Sequence, residues 1–211
     1  MPCDTAQVGT VVEPNGRSYG GLSPQRREAE RVARFVDAGL EVFGTQGFHA
    51  ATVDAVCAAA GLTKRYFYRG FGSMEALFHA VYLRCADSFM RMAMSVVDDP
   101  STDALACLNQ FLAEIESDPR IGRVMLVEVF DISPTTYQLW RKTMSTFEDM
   151  TAKSIGDRTG VNTALVAHGL IGAMHYIARE WLESSYAQPR AEVAASCNIL
   201  FAAVHTSLDT Q

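Results

Sequence analysis

The sequence predicts an all-α protein of about nine helices, and three observations support this prediction. Apolar residues recur at helical spacing through residues 24–207. No segment shows the convincing alternation of apolar and polar residues that a half-buried strand requires. Prolines collect at the boundaries between the apolar segments, at Pro24, Pro100, Pro119, Pro134 and Pro189. The composition, with 48% hydrophobic and 20% charged residues, is that of an ordinary globular protein, and no apolar run is long enough to cross a bilayer.

The first predicted helix, residues 24–46, follows an N-terminal segment without periodicity. Residues 1–22 are rich in Gly, Pro, Thr and Ser, so we expect a disordered tail. Ser23 is a suitable N-cap, and Pro24 suits the first helical position. The apolar stripe that should bury this helix comprises Ala29, Val32, Val36, Leu40 and Phe43.

Residues 52–77 predict two short helices around a tight turn, followed by the start of a fourth helix. Thr52 can accept a hydrogen bond from an unpaired backbone N–H of the next turn, which makes it a good N-cap. Gly61 stands where the chain must turn sharply, and glycine allows the positive φ that such a helix exit needs. Thr63 is expected to cap the third helix and Ser73 the fourth.

The third helix is expected to expose a face of cations and phenols. Phe67 and Phe71 lie four apart on the side that we expect to be buried. The side chains expected on the opposite side are Lys64, Arg65, Tyr66, Tyr68 and Arg69. A short helix of this kind, braced by a capped helix and a tight turn, is the helix-turn-helix arrangement that enters the major groove of DNA. Residues 23–72 are therefore predicted to form a DNA-binding domain.

The same segment resembles the DNA-binding signature of the TetR family of transcriptional regulators. The matching residues, in the family's order and without a gap, are Thr52, Val56, Ala59, Gly61, Thr63, Phe67, Tyr68, Phe71, Ser73, Glu75 and Leu77. The resemblance implies that Lys64 and Tyr68 contact phosphates. It also implies that Arg65 and Tyr66 lie nearest the base edges. Thr52 is expected to serve as both cap and phosphate ligand, since helix N-termini favour anions.

Three positions depart from the family's pattern. Met74 replaces the lysine that usually follows the serine, which removes a cation close to a phosphate. Gly70 replaces an aromatic residue, and Arg69 stands where histidine is common, so Arg69 is expected to restore part of the charge. We expect slightly weaker non-specific DNA affinity and no effect on the fold.

The net charge of −6 is unevenly divided along the chain. Residues 22–75 carry seven cations and six anions, and three of those cations belong to the third helix. Residues 76–211 carry ten cations and sixteen anions, and DNA would repel this acidic part. We therefore expect the N-terminal part to face DNA and the C-terminal part to point away from it.

Residues 73–211 are expected to form a helical bundle. The fourth helix should end before Asp98, and the remaining helices are predicted near residues 102–117, 119–131, 134–156, 162–186 and 189–207. In this part the resemblance to the TetR family extends to the layout only. It implies a domain that binds a small molecule in a cavity and pairs with a second copy through the last two helices.

Apolar residues on successive helices of this bundle are candidate ligand contacts. Methionine and aromatic side chains suit a permissive pocket for a hydrophobic small molecule, although ordinary core packing is the alternative for each of them. The candidates are Phe89, Leu112, Met125, Glu128, Trp140, Met144, Phe147, Met174 and His175.

Glu128 is a polar residue in an apolar segment, and burying its carboxylate is costly unless it is paired. It therefore points to solvent, pairs with an internal group such as His175, or meets a cationic ligand. His168 and His175 lie seven apart on one helical face, but no close pair of metal ligands exists among these three residues. Neither a metal site nor another cofactor is expected.

The last two predicted helices carry small residues that would permit close approach between two copies of the chain. The candidates for this interface are Gly172, Ala173, Ala195, Ile199 and Ala202, and burial inside one copy is the alternative. One recognition helix reads only a few base pairs, whereas two helices related by a two-fold axis read a palindrome. A homodimer on a palindromic operator in double-stranded DNA is therefore expected.

Together these features predict a cytoplasmic transcriptional regulator, namely a repressor that a small-molecule ligand releases from its operator. Release is the usual direction in the family that the sequence resembles. The alternative is a redox-responsive regulator without such a ligand, since Cys85 and Cys107 lie in neighbouring helices. Five scattered cysteines suit a reducing compartment. An enzyme is not expected, because the sequence shows no Gly-rich phosphate loop, paired acids or metal-ligand spacing.

Overall fold

The computed structural model describes residues 23–98, 104–157 and 159–209. Within these residues the chain forms nine α-helices and one short 3-10 helix, with no strand. The helices are α1 (Pro24–Gln46), α2 (Val53–Ala60), α3 (Lys64–Gly70), α4 (Met74–Asp98), α5 (Ala104–Ser117), α6 (Pro119–Leu126), α7 (Pro134–Ile155), α8 (Thr163–Glu183) and α9 (Arg190–Asp209), with the 3-10 helix at Glu128–Phe130. The predicted all-α fold is confirmed for the described residues. The predicted tail of residues 1–22 lies outside them.

Side chains define where the N-terminal helices begin. Three predicted N-caps are confirmed, since Ser23, Thr52 and Ser73 each accept a hydrogen bond from the backbone N–H three residues later. Pro24 occupies the first helical position of α1, where its missing N–H costs nothing. Gly47 ends the same helix with a φ of 83°. The bounds of α1 therefore follow directly from local chemistry.

One apolar core joins α1 to the three helices that follow it. The rings of Phe35, Phe43, Phe67 and Phe78 are at most 1% exposed. Phe35 and Phe67 meet edge to face with centroids 5.7 Å apart, and Phe43 meets Phe78 at 5.4 Å. Such aromatic pairs stabilise packing beyond the area that they bury. Because α1 contributes to both pairs, it fixes the positions of α3 and α4 together.

The other side of α1 packs against α6, and the two backbones approach closely at Gly44. A Cβ at position 44 would lie 2.7 Å from the Cα of Arg120, so a larger residue requires one helix to move. The Arg120 guanidinium bonds Glu41 of α1 and also Asp118, which caps α6. The first helix of the N-terminal unit is therefore in direct contact with the bundle.

Two helices of the bundle end earlier than predicted. α6 ends at Leu126 because Val127 leaves helical geometry (φ −125°, ψ −66°), and the 3-10 helix follows. α8 ends at Glu183, since Ser185 and Tyr186 adopt left-handed φ values of 55° and 59°. The Tyr186 hydroxyl donates to a backbone carbonyl of α5 at 2.6 Å, which helps to hold this turn.

The rest of the bundle is built from helix pairs. α7 packs along α8, α5 packs along α9, and α6 contacts α8. A second apolar cluster of Ile155, Ala167 and Leu170 closes the end of the α7–α8 pair. Among the helices of the described residues, none has the length and apolarity that crossing a membrane requires.

Gly44→Ala is expected to lower the free energy of unfolding by about 1–3 kcal/mol, because the added methyl group overpacks the crossing of α1 and α6. Urea unfolding followed by circular dichroism measures this change. Gly70→Ala is the control, since no heavy atom lies within 4 Å of a Cβ at that position. The control should be neutral or stabilised by about 0.5–1 kcal/mol. Wild-type stability of Gly44→Ala would contradict the tight crossing.

Candidate nucleic-acid interface

α2 and α3 meet at a tight turn that is held from α1. Gly61 adopts the left-handed conformation expected from the sequence (φ 60°, ψ 36°), and the Leu62 N–H donates to the Cys57 carbonyl at 3.0 Å. Arg34 of α1 donates from Nη2 to the Ala60 carbonyl at 2.6 Å. The positive charge of Arg34 also interacts favourably with the negative, C-terminal end of the α2 dipole. The angle between the two short helices is therefore stabilised by a side chain of a third helix.

One face of α3 is anchored in the core, as predicted. Phe67 is fully buried, and its ring lies 5.7 Å from that of Phe35. Phe71 is partly buried and meets Phe35 at 6.0 Å. These contacts fix the rotation of the short helix about its axis, so the opposite face points outward.

The outward face of α3 carries the five polar side chains predicted to lie there. All five are exposed, namely Lys64, Arg65, Tyr66, Tyr68 and Arg69. Arg65 forms no hydrogen bond or ion pair with any residue that the structure describes. Thr63 occupies the N-cap position of α3, but its hydroxyl makes no capping bond, so the predicted side-chain cap is wrong. Thr63 is exposed, as is Thr52 at the start of α2.

The other two cations of this face have acidic partners in neighbouring helices. Lys64 Nζ lies 2.7 Å from Oδ1 of Asp54 in α2, and the hydrogen bond between them raises the pKa of Lys64. Arg69 lies 3.8 Å from the Glu28 carboxylate of α1. A hydrogen bond from Arg31 lowers the pKa of Glu28. The Glu28 carboxylate is therefore ionised at neutral pH.

Two arginines of α1 shape the interface in ways that the sequence did not reveal. Arg31 stacks its guanidinium on the Tyr66 ring, 4.8 Å from the centroid, while Arg34 holds the turn. Sequence reasoning counted both only as positive charges, because their partners lie in other helices. Met74, which stands where lysine is usual, packs partly buried against the core.

The candidate ligand contacts are spread over the bundle core. Phe89, Leu112, Met125 and Met144 are buried, and Trp140, Phe147, Met174 and His175 are partly buried. The structure brings Trp140 and His175 together with Phe130. Their ring centroids lie 4.8 Å (Phe130 to Trp140), 5.4 Å (Phe130 to His175) and 5.6 Å (Trp140 to His175) apart. Burial, with a smaller contribution from Arg179, lowers the pKa of His175 to about 4, so its imidazole is neutral at neutral pH.

Glu128 faces α1 and lies apart from this aromatic group. Its Oε1 accepts a hydrogen bond from Arg123 Nε at 2.8 Å, and its Oε2 accepts one from the Phe48 backbone N–H at 2.8 Å. Arg123 also donates to the Thr45 carbonyl at 2.9 Å. The expected pairing with an internal group is therefore confirmed, but the partner is Arg123 and not His175. A carboxylate in solvent is wrong, since this one is only 12% exposed.

The candidate interface residues lie on an open surface of α8 and α9. Gly172, Ala195, Ile199 and Ala202 are exposed, and Ala173 is partly buried. Ile199 is 67% exposed, and two further apolar residues of α8, Leu165 and Tyr176, are 66% and 69% exposed. The alternative of burial inside one copy therefore fails for four of the five residues. Large apolar side chains exposed on adjacent helices are typical of a surface that a partner covers.

The cysteines are buried wherever the structure describes their side chains. Cys57, Cys85 and Cys197 are free thiols. Burial raises the pKa of Cys85 to about 11, so this thiol stays protonated at neutral pH. The thiolate is the form that reacts with oxidants, so Cys85 is a poor redox sensor. The Cys107 side chain is outside the part that the structure describes.

Comparison with protein families identifies the N-terminal domain. Residues 35–81 match the family described as bacterial regulatory proteins, tetR family. The match extends from α1 through α2 and α3 into α4, so it covers the helix-turn-helix described above.

Relatives and solved structures extend the similarity to the bundle. The HTH-type transcriptional activator FasR of Mycolicibacterium smegmatis is 26% identical over 161 residues, which cover 74% of each chain. A transcriptional regulator from Rhodococcus superposes with a TM-score of 0.71 at 17% identity, over 84% of this chain and 97% of that one. The FadR regulator of Bacillus subtilis, solved in complex with stearoyl-CoA, superposes with a TM-score of 0.67 at 14% identity, over 82% and 96%. The two solved structures share the fold of this chain. Its residues 35–81 form a domain of the tetR family of bacterial regulatory proteins.

Proposed function

We propose that this chain acts as a homodimer that represses transcription from a palindromic operator and leaves it when a hydrophobic small molecule binds in the bundle. The observation that carries the proposal is the outward face of α3. This face presents cations and phenols on a helix whose opposite side is locked in the core. A face that served only solubility would not need this anchoring. Such a regulator would act in the cytoplasm, where it meets DNA.

Arg65 is proposed to read bases in the major groove. Its guanidinium has no partner among the described residues, and arginine can bond guanine through O6 and N7. Tyr66, held under Arg31, would lie beside it against the groove. Neither side chain has to break a bond to a carboxylate before it contacts DNA, and Tyr66 is already held by Arg31. This reduces the entropy cost of ordering Tyr66 on binding.

Phosphate contacts are proposed for the remaining polar residues of the interface. Lys64 and Arg69 would exchange their carboxylate partners for phosphate oxygens, and Tyr68 would donate a hydrogen bond from its phenol. Thr52 and Thr63 would add hydroxyls at the starts of α2 and α3. These contacts set the register of α3 in the groove without reading sequence.

The dimer is proposed to form through α8 and α9. The exposed apolar side chains of Leu165, Tyr176 and Ile199 would be buried between two copies, and the small residues Gly172 and Ala195 would allow the helices to approach closely. Residues 73–211 would thus form the dimerisation and ligand-binding domain, and residues 23–72 the DNA-binding domain.

The ligand signal is proposed to cross where the 3-10 helix and α6 meet α1. Glu128 and Arg123 bond the backbone at the end of α1, and the 3-10 helix that begins at Glu128 also contributes Phe130 to the group around His175. A ligand there would shift α1 and α4, and hence the separation of the two α3 helices. It would change operator affinity only by its differential affinity for the two arrangements.

Fatty acyl compounds are the ligands to test first. The candidate contacts are apolar, and the structurally similar FadR was solved with stearoyl-CoA. FasR is named as an activator. Operator affinity must therefore be measured with and without ligand, to show whether the ligand weakens or strengthens DNA binding. A redox-responsive regulator is the less supported alternative, because Cys85 is buried and protonated.

Arg65→Ala is expected to weaken operator binding at least about five-fold, since a bidentate arginine–guanine contact contributes about 1–3 kcal/mol of discrimination. The operator is first selected by the wild-type protein from a random duplex library, and affinities are measured by fluorescence anisotropy. Arg91→Ala is the control, because Arg91 is equally charged but lies exposed on α4. Equal binding by Arg65→Ala, or selected sites without a palindrome, would contradict the proposal.

Met74→Lys is expected to strengthen DNA binding at low salt, because it restores a cation next to the phosphate backbone. The slope of log affinity against log salt should steepen by about 0.9 for each new phosphate contact. Anisotropy titrations at several salt concentrations measure this slope. Met94→Lys introduces the same charge at an exposed position of α4, 20 residues along the chain, and should leave the slope unchanged. Identical slopes for both variants would count against a phosphate beside residue 74.

Ile199→Glu is expected to convert the dimer into a monomer, because two buried carboxylates would face each other across the two-fold axis. Size-exclusion chromatography with light scattering should give twice the monomer mass of 23.1 kDa for the wild type and that mass for the variant. Leu83→Glu places the same charge on an exposed leucine of α4, which is 47% exposed, and should remain dimeric. A wild type that is monomeric at micromolar concentration would refute the interface.

A further inference from the structure

Two buried nitrogen atoms of the bundle have no hydrogen-bond partner. Trp140 Nε1 and His175 Nε2 are hidden from solvent, and neither bonds a residue that the structure describes. Most buried polar atoms in folded proteins are hydrogen-bonded, so each exception requires a reason. The other tryptophan, Trp181, follows the rule, because its indole N–H donates to the Gln188 carbonyl at 2.8 Å.

The two unpaired nitrogens belong to side chains that touch the same ring. Trp140 of α7 and His175 of α8 both pack on Phe130 of the 3-10 helix, and their own rings lie 5.6 Å apart. Trp140 packs against the main core, as do other partly buried apolar side chains, including Phe147 and Met174. Methionine adapts its shape readily, so this region can rearrange around an inserted group. The two unpaired nitrogens thus mark one aromatic group in the apolar core as a polar spot.

The charge around this spot favours an uncharged acceptor over an anion. The guanidinium of Arg141 lies over the Trp140 ring, and that of Arg179 lies over the Phe130 ring. Each already has a carboxylate partner: Glu148 lies 3.5 Å from Arg141, and Glu183 lies 2.9 Å from Arg179.

The nitrogens themselves bring no positive charge to the spot. The His175 imidazole is neutral at neutral pH, since its pKa is lowered to about 4. An indole N–H can only donate, and a neutral imidazole offers one donor and one acceptor. When the His175 proton is on Nε2, both unpaired nitrogens donate, and a carbonyl oxygen, which accepts hydrogen bonds without carrying a charge, matches them.

We propose that Trp140 and His175 anchor the carbonyl oxygen of an acyl thioester or ester whose hydrocarbon chain lies in the apolar core of the bundle. This inference deepens the proposed function, because it names the chemical group that the regulatory site recognises. Phe130 would transmit ligand binding to α1. It contacts both anchoring rings, and it belongs to the same 3-10 helix as Glu128, which bonds the backbone at the end of α1. A free fatty acid would fit less well, because its carboxylate would be buried without an unpaired cation.

Two probes that differ at the carbonyl test the anchor directly. Palmitoyl-CoA carries the thioester carbonyl, and S-hexadecyl-CoA is the thioether with a methylene in its place. Binding to the full-length protein without DNA is measured by calorimetry. Wild type is expected to prefer palmitoyl-CoA about ten-fold, since a single hydrogen bond contributes roughly two- to ten-fold in affinity. Equal affinity for the two probes, or no binding of either, would overturn the inference.

Matched tryptophan variants separate the anchor from general packing. Trp140→Phe keeps an aromatic ring but removes the unpaired N–H. It should abolish most of the preference for palmitoyl-CoA and lower the melting temperature less than Trp181→Phe does. Trp181→Phe removes an N–H that is already bonded, so it should lower the melting temperature and keep the preference. A Trp140→Phe protein with the full wild-type preference would overturn the role of Trp140.

A spectroscopic readout makes the outcome independent of any folding defect. The chain has two tryptophans, so a wild-type protein labelled at the indole nitrogens gives two assignable N–H resonances. Palmitoyl-CoA should shift that of Trp140 strongly and that of Trp181 little, and the opposite pattern would contradict the anchor. Failure of the proposed repression gives a different result from failure of the carbonyl anchor. In that case palmitoyl-CoA binds with the carbonyl preference, but operator affinity does not change.

Discussion

The contact between α1 and α6 is the constraint on which the rest of the molecule depends. α1 packs on α2, α3 and α4 with its aromatic residues, and on α6 at Gly44, where no Cβ fits. The Glu128 carboxylate and the Arg123 guanidinium add hydrogen bonds to the backbone at the end of α1. A displacement of α6 or the 3-10 helix therefore acts on α1 directly. Through Arg34 and Phe35, α1 in turn holds the turn and the buried face of the recognition helix.

Ion pairs, in addition to packing, determine how the polar face of α3 is arranged. Lys64 and Arg69 are paired with carboxylates, whereas Arg65 is free of partners among the described residues. Because the pairs are exposed, solvent and salt screen them, and phosphates can replace the carboxylates at little cost. The recognition helix thus keeps its cations in place before DNA binds. In the proposed complex, DNA would repel the acidic residues 76–211, so the bundle would face away from the DNA.

Local signals in the sequence were sufficient for the N-terminal unit. The bounds of α1, the caps at Ser23, Thr52 and Ser73 and the turn at Gly61 all depend on residues a few positions apart. Longer-range features were missed or misassigned for the opposite reason. The partners of Arg34 and Glu128 and the unpaired nitrogens of Trp140 and His175 depend on how helices cross, which spacing along one chain does not determine. The DNA, dimer and ligand contacts proposed for this chain stay predictions.

The most direct test of the central claim measures coupling between ligand and operator across the α1–α6 contact. Operator affinity is determined by fluorescence anisotropy with and without palmitoyl-CoA, for wild type and for Glu128→Gln, which keeps the shape of the side chain but removes its charge toward Arg123. The ligand is expected to lower wild-type operator affinity at least about five-fold, the lower end of typical allosteric coupling. In Glu128→Gln the ligand should bind as tightly as in wild type but have a smaller effect on DNA. The same coupling in both proteins would contradict the account.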